Sequence, residues 1–348
     1  MATTRTDLLL RRIAGRCRRG FPGPALPADL VDLLRQVTEF DMACWGLLDP
    51  ITLWPTTSAS TVSAGDVANR AWEYELTVPD VLKLADLARG PAPVGSLWAA
   101  TGGEPDRSPR YRAVLGPLSA TDELRAALTI NGVGWGWLAL FRRTGIPFTA
   151  EDHAQMTAAV PHLARGMCIA ALEAGGSAAG PPSSPAILIL DQRDDLESIT
   201  HNGQELLDDL PYGRERALPG VIHSLAMSAR GQSGLGAPAG APDDEPVVPA
   251  RALLPAQSGG WLLLTAEQLL GAGDRVAVTI QRAGRSDVGP ALLRAHGLTN
   301  RETEVALAVL RGESSKEIAA ALFLSPWTVQ DHLTGTPWAP PVPAAASP

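Results

Sequence analysis

The chain has 348 residues, enough for two or three domains of ordinary size, and its 45% hydrophobic and 19% charged residues exclude disorder throughout. A formal charge of −8 excludes a nucleic-acid binder that works through overall positive charge, so any contact with DNA has to be local. Cys17, Cys44 and Cys168 form no CxxC pair, which suits a reducing cytosol. The apolar run Leu8, Leu9, Leu10 is too short for a signal peptide, and no uncharged stretch approaches the ~18 apolar residues of a membrane span, so a cytoplasmic protein with no membrane partner is expected.

Residues 1–26 read as an N-terminal extension, followed by a first domain at 27–173. PADLVDLLRQVTEF places Leu30, Leu33, Leu34, Val37 and Phe40 on one helical face. ACWGLLD (43–49) and ITLW (51–54) predict strands on either side of Pro50. PDVLKLADLARG (79–90) predicts a short helix with Pro in its first turn and Gly just past its end. In ELRAALTINGVGWGWLALFRR two apolar runs flank Asn131-Gly132, a dipeptide that accepts the positive φ angles of a tight hairpin turn, and two central antiparallel strands are expected. FTAEDHAQMTAAVPHLARGMCIAALEA opens with Thr149 and Asp152 at capping-box spacing and predicts a long helix kinked at Pro161. Met156, Val160, Leu163, Met167 and Leu172 share one side of it, a surface for self-pairing in a homodimer. Trp45, Trp98, Trp135 and Trp137 are candidates for an apolar effector pocket, with plain core packing as the alternative. Cys44 reads as a small buried thiol rather than a redox sensor.

AGGSAAGPPSSP (174–185) has no charge and no large side chain and reads as a linker. In the second domain, 186–283, AILILD is a compact strand, HNGQELLDDL and VIHSLAMSAR are short helices, and PVVPARALL, GGWLLLTAEQL and DRVAVTIQR are strands after an apolar-poor loop. That order suggests a small α+β sensor-like domain. Limited digestion is expected to cut first in 174–185 and 231–246. A second linker is expected at 284–296, and no internal repeat is evident in the sequence.

LTNRETEVALAVLRGESSKEIAAALFLSPWTVQDHL carries three helix starts. Thr299 with Glu302 and Ser314 with Glu317 have capping-box spacing, and Ser325 precedes Pro326, where a missing N–H is harmless. Val305, Val309 and Leu310 are expected to face inward on the first helix, Gly312 to stop it, and Val329 and Leu333 to face inward on the third. The small residues Ala319, Ala320 and Ala321 allow close approach in a pair of helices joined at Phe323-Leu324. Both a DNA-reading helix-turn-helix and a plain helical bundle fit these signals.

The same residues carry a resemblance. Leu298, Thr299, Arg301, Glu302, Glu304, Val305, Gly312, Ser314, Lys316, Glu317, Ile318, Ala319, Leu322, Ser325, Thr328, Val329, His332 and Leu333 are similar to the C-terminal pattern of LuxR-type transcriptional regulators. The resemblance implies double-stranded DNA as partner and a DNA-contacting set of Ser315, Lys316, Ser325, Trp327, Thr328, Gln330 and Asp331. Lys316 is then the phosphate contact, and Gln330 and Asp331 stand where base edges are read. More weakly, YRAVLGPLSATDELRAAL, WGWLALFRR and FTAEDHAQMTAAVPHLARGM resemble the GAF-like sensor half of actinobacterial regulators, and AILILD with the later strands resembles a PAS-like segment. The fold class so implied is α+β multidomain: GAF-like at 27–173, PAS-like at 186–283, and an all-α helix-turn-helix at 297–335.

After Leu333 the pattern breaks. The family continues the third helix and adds a fourth, whereas here Gly335, Pro337, Pro340, Pro341, Pro343 and Pro348 follow, so 336–348 reads as a Pro-rich tail. A third helix of about eight residues, ~12 Å long, is expected. From 298 to 335, Arg301, Arg311 and Lys316 face Glu302, Glu304, Glu313, Glu317 and Asp331, a net −2. The expected function is a DNA-binding transcriptional regulator under sensor control, and the alternative is a ligand-binding or dimerising sensor module that has lost DNA binding through this truncation. GxSxG, HExxH, Walker and CxxC motifs are absent, so no enzymatic activity, metal or cofactor is expected, and the only ligand is an unknown small-molecule effector.

Overall fold

The computed structural model describes residues 5–21, 26–61, 67–130, 133–143, 145–175, 184–211, 218–234, 250–271 and 273–334. The chain divides into two compact units, Met1–Gly284 and Arg285–Pro348.

The first unit contains two antiparallel sheets. In the earlier one, β1 (Met42–Leu47), β2 (Ala59–Ser60), β3 (Val94–Ser96), β4 (Asp122–Ile130) and β5 (Val133–Arg142) lie in the order β2-β1-β5-β4-β3. The expected hairpin is the pair β4–β5, from Asp122 opposite Arg142 to Ile130 opposite Val133, with a register shift after Leu128. Its turn, Asn131-Gly132, lies outside the described residues. The two-residue period of a strand sorts the side chains. Gly136, Leu138 and Leu140 look toward one face, and Trp137, Ala139 and Phe141 toward the other.

The helices of this module are α1 (Arg5–Cys17), α2 (Ala28–Val37), α3 (Val67–Leu76), α4 (Leu84–Arg89), α5 (Leu97–Ala100) and α6 (Ala150–Gly175). α6 opens on the expected reciprocal cap. The Thr149 amide and hydroxyl donate to Asp152 Oδ2 at 2.7 and 2.8 Å, and the Asp152 amide donates to Thr149 Oγ1 at 3.2 Å. The helix continues through Pro161 for 26 residues. Its apolar side covers the Gly136–Leu138 face of the sheet, and a Cβ on Gly136 would meet Met167 at 3.0 Å. The self-pairing surface expected on α6 is therefore taken: Met156, Val160, Leu163 and Met167 are at most 2% exposed inside their own chain. The stretch read as an N-terminal extension holds α1, whose Leu9, Ile13, Ala14 and Cys17 are buried where it packs on α6.

Two local expectations fail for tertiary reasons. ITLW is not a strand. Asp49 Oδ1 accepts the amides of Ile51 at 2.7 Å and Thr52 at 3.0 Å, which curls the chain, and Leu53 takes a φ of 62°. Residues 79–83 are not helical, and α4 starts only at Leu84, after Leu82 at φ 59°. Asp80 instead accepts the Ser108 hydroxyl at 2.7 Å and the Arg110 amide at 2.9 Å, while Lys83 Nζ donates to the carbonyls of Tyr74 at 2.5 Å and Glu75 at 2.6 Å. This segment rims a buried charge network on the Trp137 side of the sheet, in which Arg110 pairs with Glu123 and Arg125 pairs with Glu75 at 2.8 Å.

The later sheet is built from β6 (Ala186–Leu190), β7 (Leu196–Ile199), β8 (Ala250–Pro255), β9 (Trp261–Gln268) and β10 (Val276–Arg282), with α7 (Gly203–Asp208) and α8 (Gly220–Gly234) between β7 and β8. Its order, β7-β6-β10-β9-β8, repeats the plan of the first sheet strand for strand. β7 was not expected, because LESI is mostly exposed and gives no apolar alternation. Alternate residues of the strands, among them Leu188, Leu190, Leu262, Leu264, Val276 and Val278, form a core with Leu206, Ile222 and Leu225 of the helices. Residues 176–183 of the first expected linker, and 235–249 of the expected loop and strand start, lie outside the described residues.

The two modules are joined at Asp49. Its second carboxylate oxygen accepts the Leu253 amide of β8 at 2.8 Å, and Trp54 of the same turn packs on the later core. Asp49 is fully buried; burial pushes its carboxyl above the usual range against the pull of the three N–H donors and Arg251.

The second unit holds α9 (Arg285–Ala295), α10 (Asn300–Leu310), α11 (Ser315–Ala321) and α12 (Pro326–Thr334). The expected second linker is thus helical. Gly289 and Pro290 look like breakers, but Val288 and Ala291 are buried and α9 packs on α10.

Candidate nucleic-acid interface

α10, α11 and α12 close around Val305, Ala308, Ile318, Ala319 and Val329, with Val309, Leu322, Leu324 and Leu333 partly buried against them. Both capping boxes are complete: the Thr299 and Ser314 side chains accept the amides of Glu302 and Glu317, and each Glu reaches back to its cap amide. Thr299's N–H and hydroxyl hold Glu302 below the usual carboxylate range, and Ser314's hydroxyl and N–H do the same for Glu317. Ser325 caps α12, accepting the Thr328 amide at 3.0 Å. Gly312 at φ 86° follows the Arg311 C-cap and ends α10. Three inward positions need correction. Leu310 is 63% exposed because it sits at the last turn of α10, and of the three alanines expected at the helix contact only Ala319 is buried.

Between α11 and α12 the chain turns at Phe323, whose φ is 52°. The turn has a brace that sequence reasoning missed. Arg301 of α10 donates to the Leu322 carbonyl at the end of α11 and also pairs with Glu304 at 2.6 Å. Arg311 pairs with Glu313 at 2.6 Å. Of the three cations counted from 298 to 335, Lys316 alone forms no ion pair among the described residues, and it is exposed.

α12 has nine residues and ends at Thr334; the Pro-rich stretch beyond lies outside the described residues. With Val329 fully buried, the opposite side of α12 presents Trp327, 77% exposed, and exposed Gln330 and Asp331. These three are at i, i+3 and i+4, one strip of a helix. Of the other candidates, Ser325 and Thr328 are engaged in the cap, their hydroxyls 2.8 Å apart, and Ser315 is half-buried in the first turn of α11. A short helix anchored by Val329 and Leu333 and edged by a Gln, an Asp and a Trp has the shape to enter a major groove.

The four tryptophans of the expected effector pocket are not brought together. Trp45 lies opposite Leu138, so it faces away from the side that Trp137 occupies. Trp137 Nε1 donates to the Thr57 carbonyl at 3.2 Å, and its ring meets Trp72 edge-on at 5.3 Å. Trp135 is fully buried, whereas Trp98 sits at the surface on α5. Burial pushes the thiols of Cys17, Cys44 and Cys168 up to about 12, so none is primed as a nucleophile.

No helix among the described residues is long and apolar enough to cross a membrane. Comparison with curated proteins finds no match. Among solved structures, a chain of the "Crystal Structure of the E.coli DhaR(N)-DhaL complex" aligns with 79% of this chain and 99% of its own length, at 12% identity and a TM-score of 0.23. That likeness is too slight to support a conclusion about either module. Residues 296–336 match the family model GerE, described as bacterial regulatory proteins, luxR family. The C-terminal unit therefore carries, over that span, a helix-turn-helix domain of the luxR family.

Proposed function

We propose that the chain is a DNA-binding transcriptional regulator in which a GAF-like module and a PAS-like module control the C-terminal helix-turn-helix. The observation that carries this reading is the luxR-family match at 296–336, on a unit whose α12 turns Trp327, Gln330 and Asp331 outward. Two consecutive five-stranded sheets of one strand order support reading the first unit as paired sensor-type modules for a small-molecule effector. A homodimer brings two such helices to a two-half-site operator. Its contact must lie elsewhere than on the apolar side of α6.

A second reading, a sensor module without DNA binding, is favoured by one observation. Residues 298–335 are acidic and Arg301 and Arg311 there are tied into ion pairs, although specific DNA binders draw much of their affinity from neutralised phosphates. Selection from a random duplex pool with the full chain at 50 mM salt separates the readings. Enrichment of one motif is expected, with modest affinity at 150 mM salt. Gln330→Ala then relaxes preference at one base position by ~1–3 kcal/mol, and Lys316→Ala weakens all sequences alike and flattens the salt slope by about one unit. Enrichment of no motif leaves the sensor reading standing.

A further inference from the structure

α1 concentrates positive charge in a molecule that is otherwise acidic. Residues 5–19 hold Arg5, Arg11, Arg12, Arg16, Arg18 and Arg19, six of the 29 basic side chains, against Asp7, a net +5 within a chain of −8. Arg16 is used internally: it pairs with Asp29 at 2.9 Å, donates to the Gly20 carbonyl at 3.1 Å and lies over Phe21. The other five arginines are exposed, and none has a side-chain hydrogen bond or ion pair among the described residues.

Their spacing is ordered. Seven residues are nearly two helical turns, so Arg5, Arg12 and Arg19 follow one row and Arg11 and Arg18 a second, with Leu8 and Gly15 between. Arg18 and Arg19 stand in the closing turn, where the Arg18 amide still donates to Ala14. Within a row the repeat is ~10.5 Å, about three base-pair steps of duplex DNA.

The chemistry narrows the partner. A basic amphipathic helix binds a bilayer or a hydrophobic groove through its apolar side, and here that side is spent, since Leu9, Ile13, Ala14 and Cys17 are buried. What remains is a cationic surface of guanidinium forks, the geometry that takes phosphate oxygens in pairs. The luxR-type unit itself has little phosphate-binding charge, and α1 has it in excess. We propose that the exposed arginine rows of α1 form a sequence-independent binding surface for the phosphate backbone of duplex DNA. The inference presumes that the chain works on DNA, and its test separates that premise from the surface itself.

The measurement is fluorescence anisotropy of a labelled random-sequence 30-base-pair duplex titrated with the full chain between 50 and 200 mM salt. Neutralising each phosphate contributes ~0.9 to the slope of log affinity against log salt, so R11Q/R12Q/R18Q/R19Q is expected to lower the slope by about three to four. The matching Arg→Lys set keeps it, and all side chains changed are exposed, so the unfolding midpoint should not move. A K316A/Q330A variant, blind in the helix-turn-helix, retains the α1-dependent slope; this outcome supports the surface even if no operator exists. An unchanged slope in the Gln set overturns the proposal while leaving helix-turn-helix binding intact. So does a wild-type chain that binds no duplex at 50 mM salt. Binding to vesicles of 30% phosphatidylserine that depends on α1, without duplex binding, overturns it in favour of a lipid surface.

Discussion

Asp49, itself fully buried, stands in a turn whose Ile51 and Thr52 are half-buried, and it accepts three backbone N–H groups, two from its own loop and one from β8 of the neighbouring module. An N–H stranded in a buried site costs roughly 1–3 kcal/mol; Asp49→Ala strands the Leu253 N–H fully and the Ile51 and Thr52 N–H groups in part, and is expected to lower stability by about 2–3 kcal/mol in urea unfolding. Its pKa is raised in the folded state, so between the unfolded value near 3.8 and the folded one the native chain binds more protons. The stability from this group is present below 3.8 and is lost as pH rises through the folded value. Asn cannot titrate, and Asp49→Asn should remove that slope from a stability-against-pH series. A slope identical to wild type would show that other carboxylates account for it. The same residue shows why ITLW misled. Four residues with β propensity between turn signals read as a strand, and only a partner about two hundred positions away in sequence explains why they curl.

Among elements, those set by their own neighbours were legible. The β4–β5 hairpin follows from two apolar runs around Asn131-Gly132, and the caps of α6, α10 and α11 follow from residues three apart. Elements decided by distant packing were not: α9 looked like a linker because of Gly289-Pro290, and α1 looked like an extension because its arginines hide a buried Leu9–Ile13 side. The site divides the same way. The exposed strip of α12 was readable from the helical period, but the Arg301 brace to Leu322 depends on how α10 meets α11. The caps carry a pH signature. Glu302 and Glu317 are held below their usual range, so their contribution is complete above the unfolded value near 4.5 and is lost as pH falls through the folded values. Carboxyl carbon NMR titration should place both midpoints below those of an unfolded peptide, and Thr299→Ala, at a cost of ~1 kcal/mol to α10, should move the Glu302 midpoint only part of the way back, because the residue 299 N–H still donates to it. An unchanged midpoint in that variant would remove the Thr299 hydroxyl as a cause.

For the whole molecule, the division at Gly284 and the Asp49 joint lead to a calorimetric expectation. The two sheets should melt together and the helical unit apart from them. Asp49→Ala should move only the larger transition, and a shift of both would contradict the division. Sequence comparison within the chain showed no repeat, yet the sheets share one strand order, because topology depends on connection and burial rather than on residue identity.

That shared order also bears on how the protein is made. In both sheets the last strand to be synthesised, β5 or β10, occupies the centre, flanked by the first strand on one side and the penultimate strand on the other. A nascent chain that has emerged only as far as β9 holds two half-sheets with facing unpaired edges and a gap between them. Closing it joins strands separated by a long stretch of chain, a slow kind of step that leaves edges open to foreign strands in the meantime. Each sheet can therefore close only once its last strand is made, and a ribosome that pauses before 276 leaves the second sheet open at its middle rather than short at its rim.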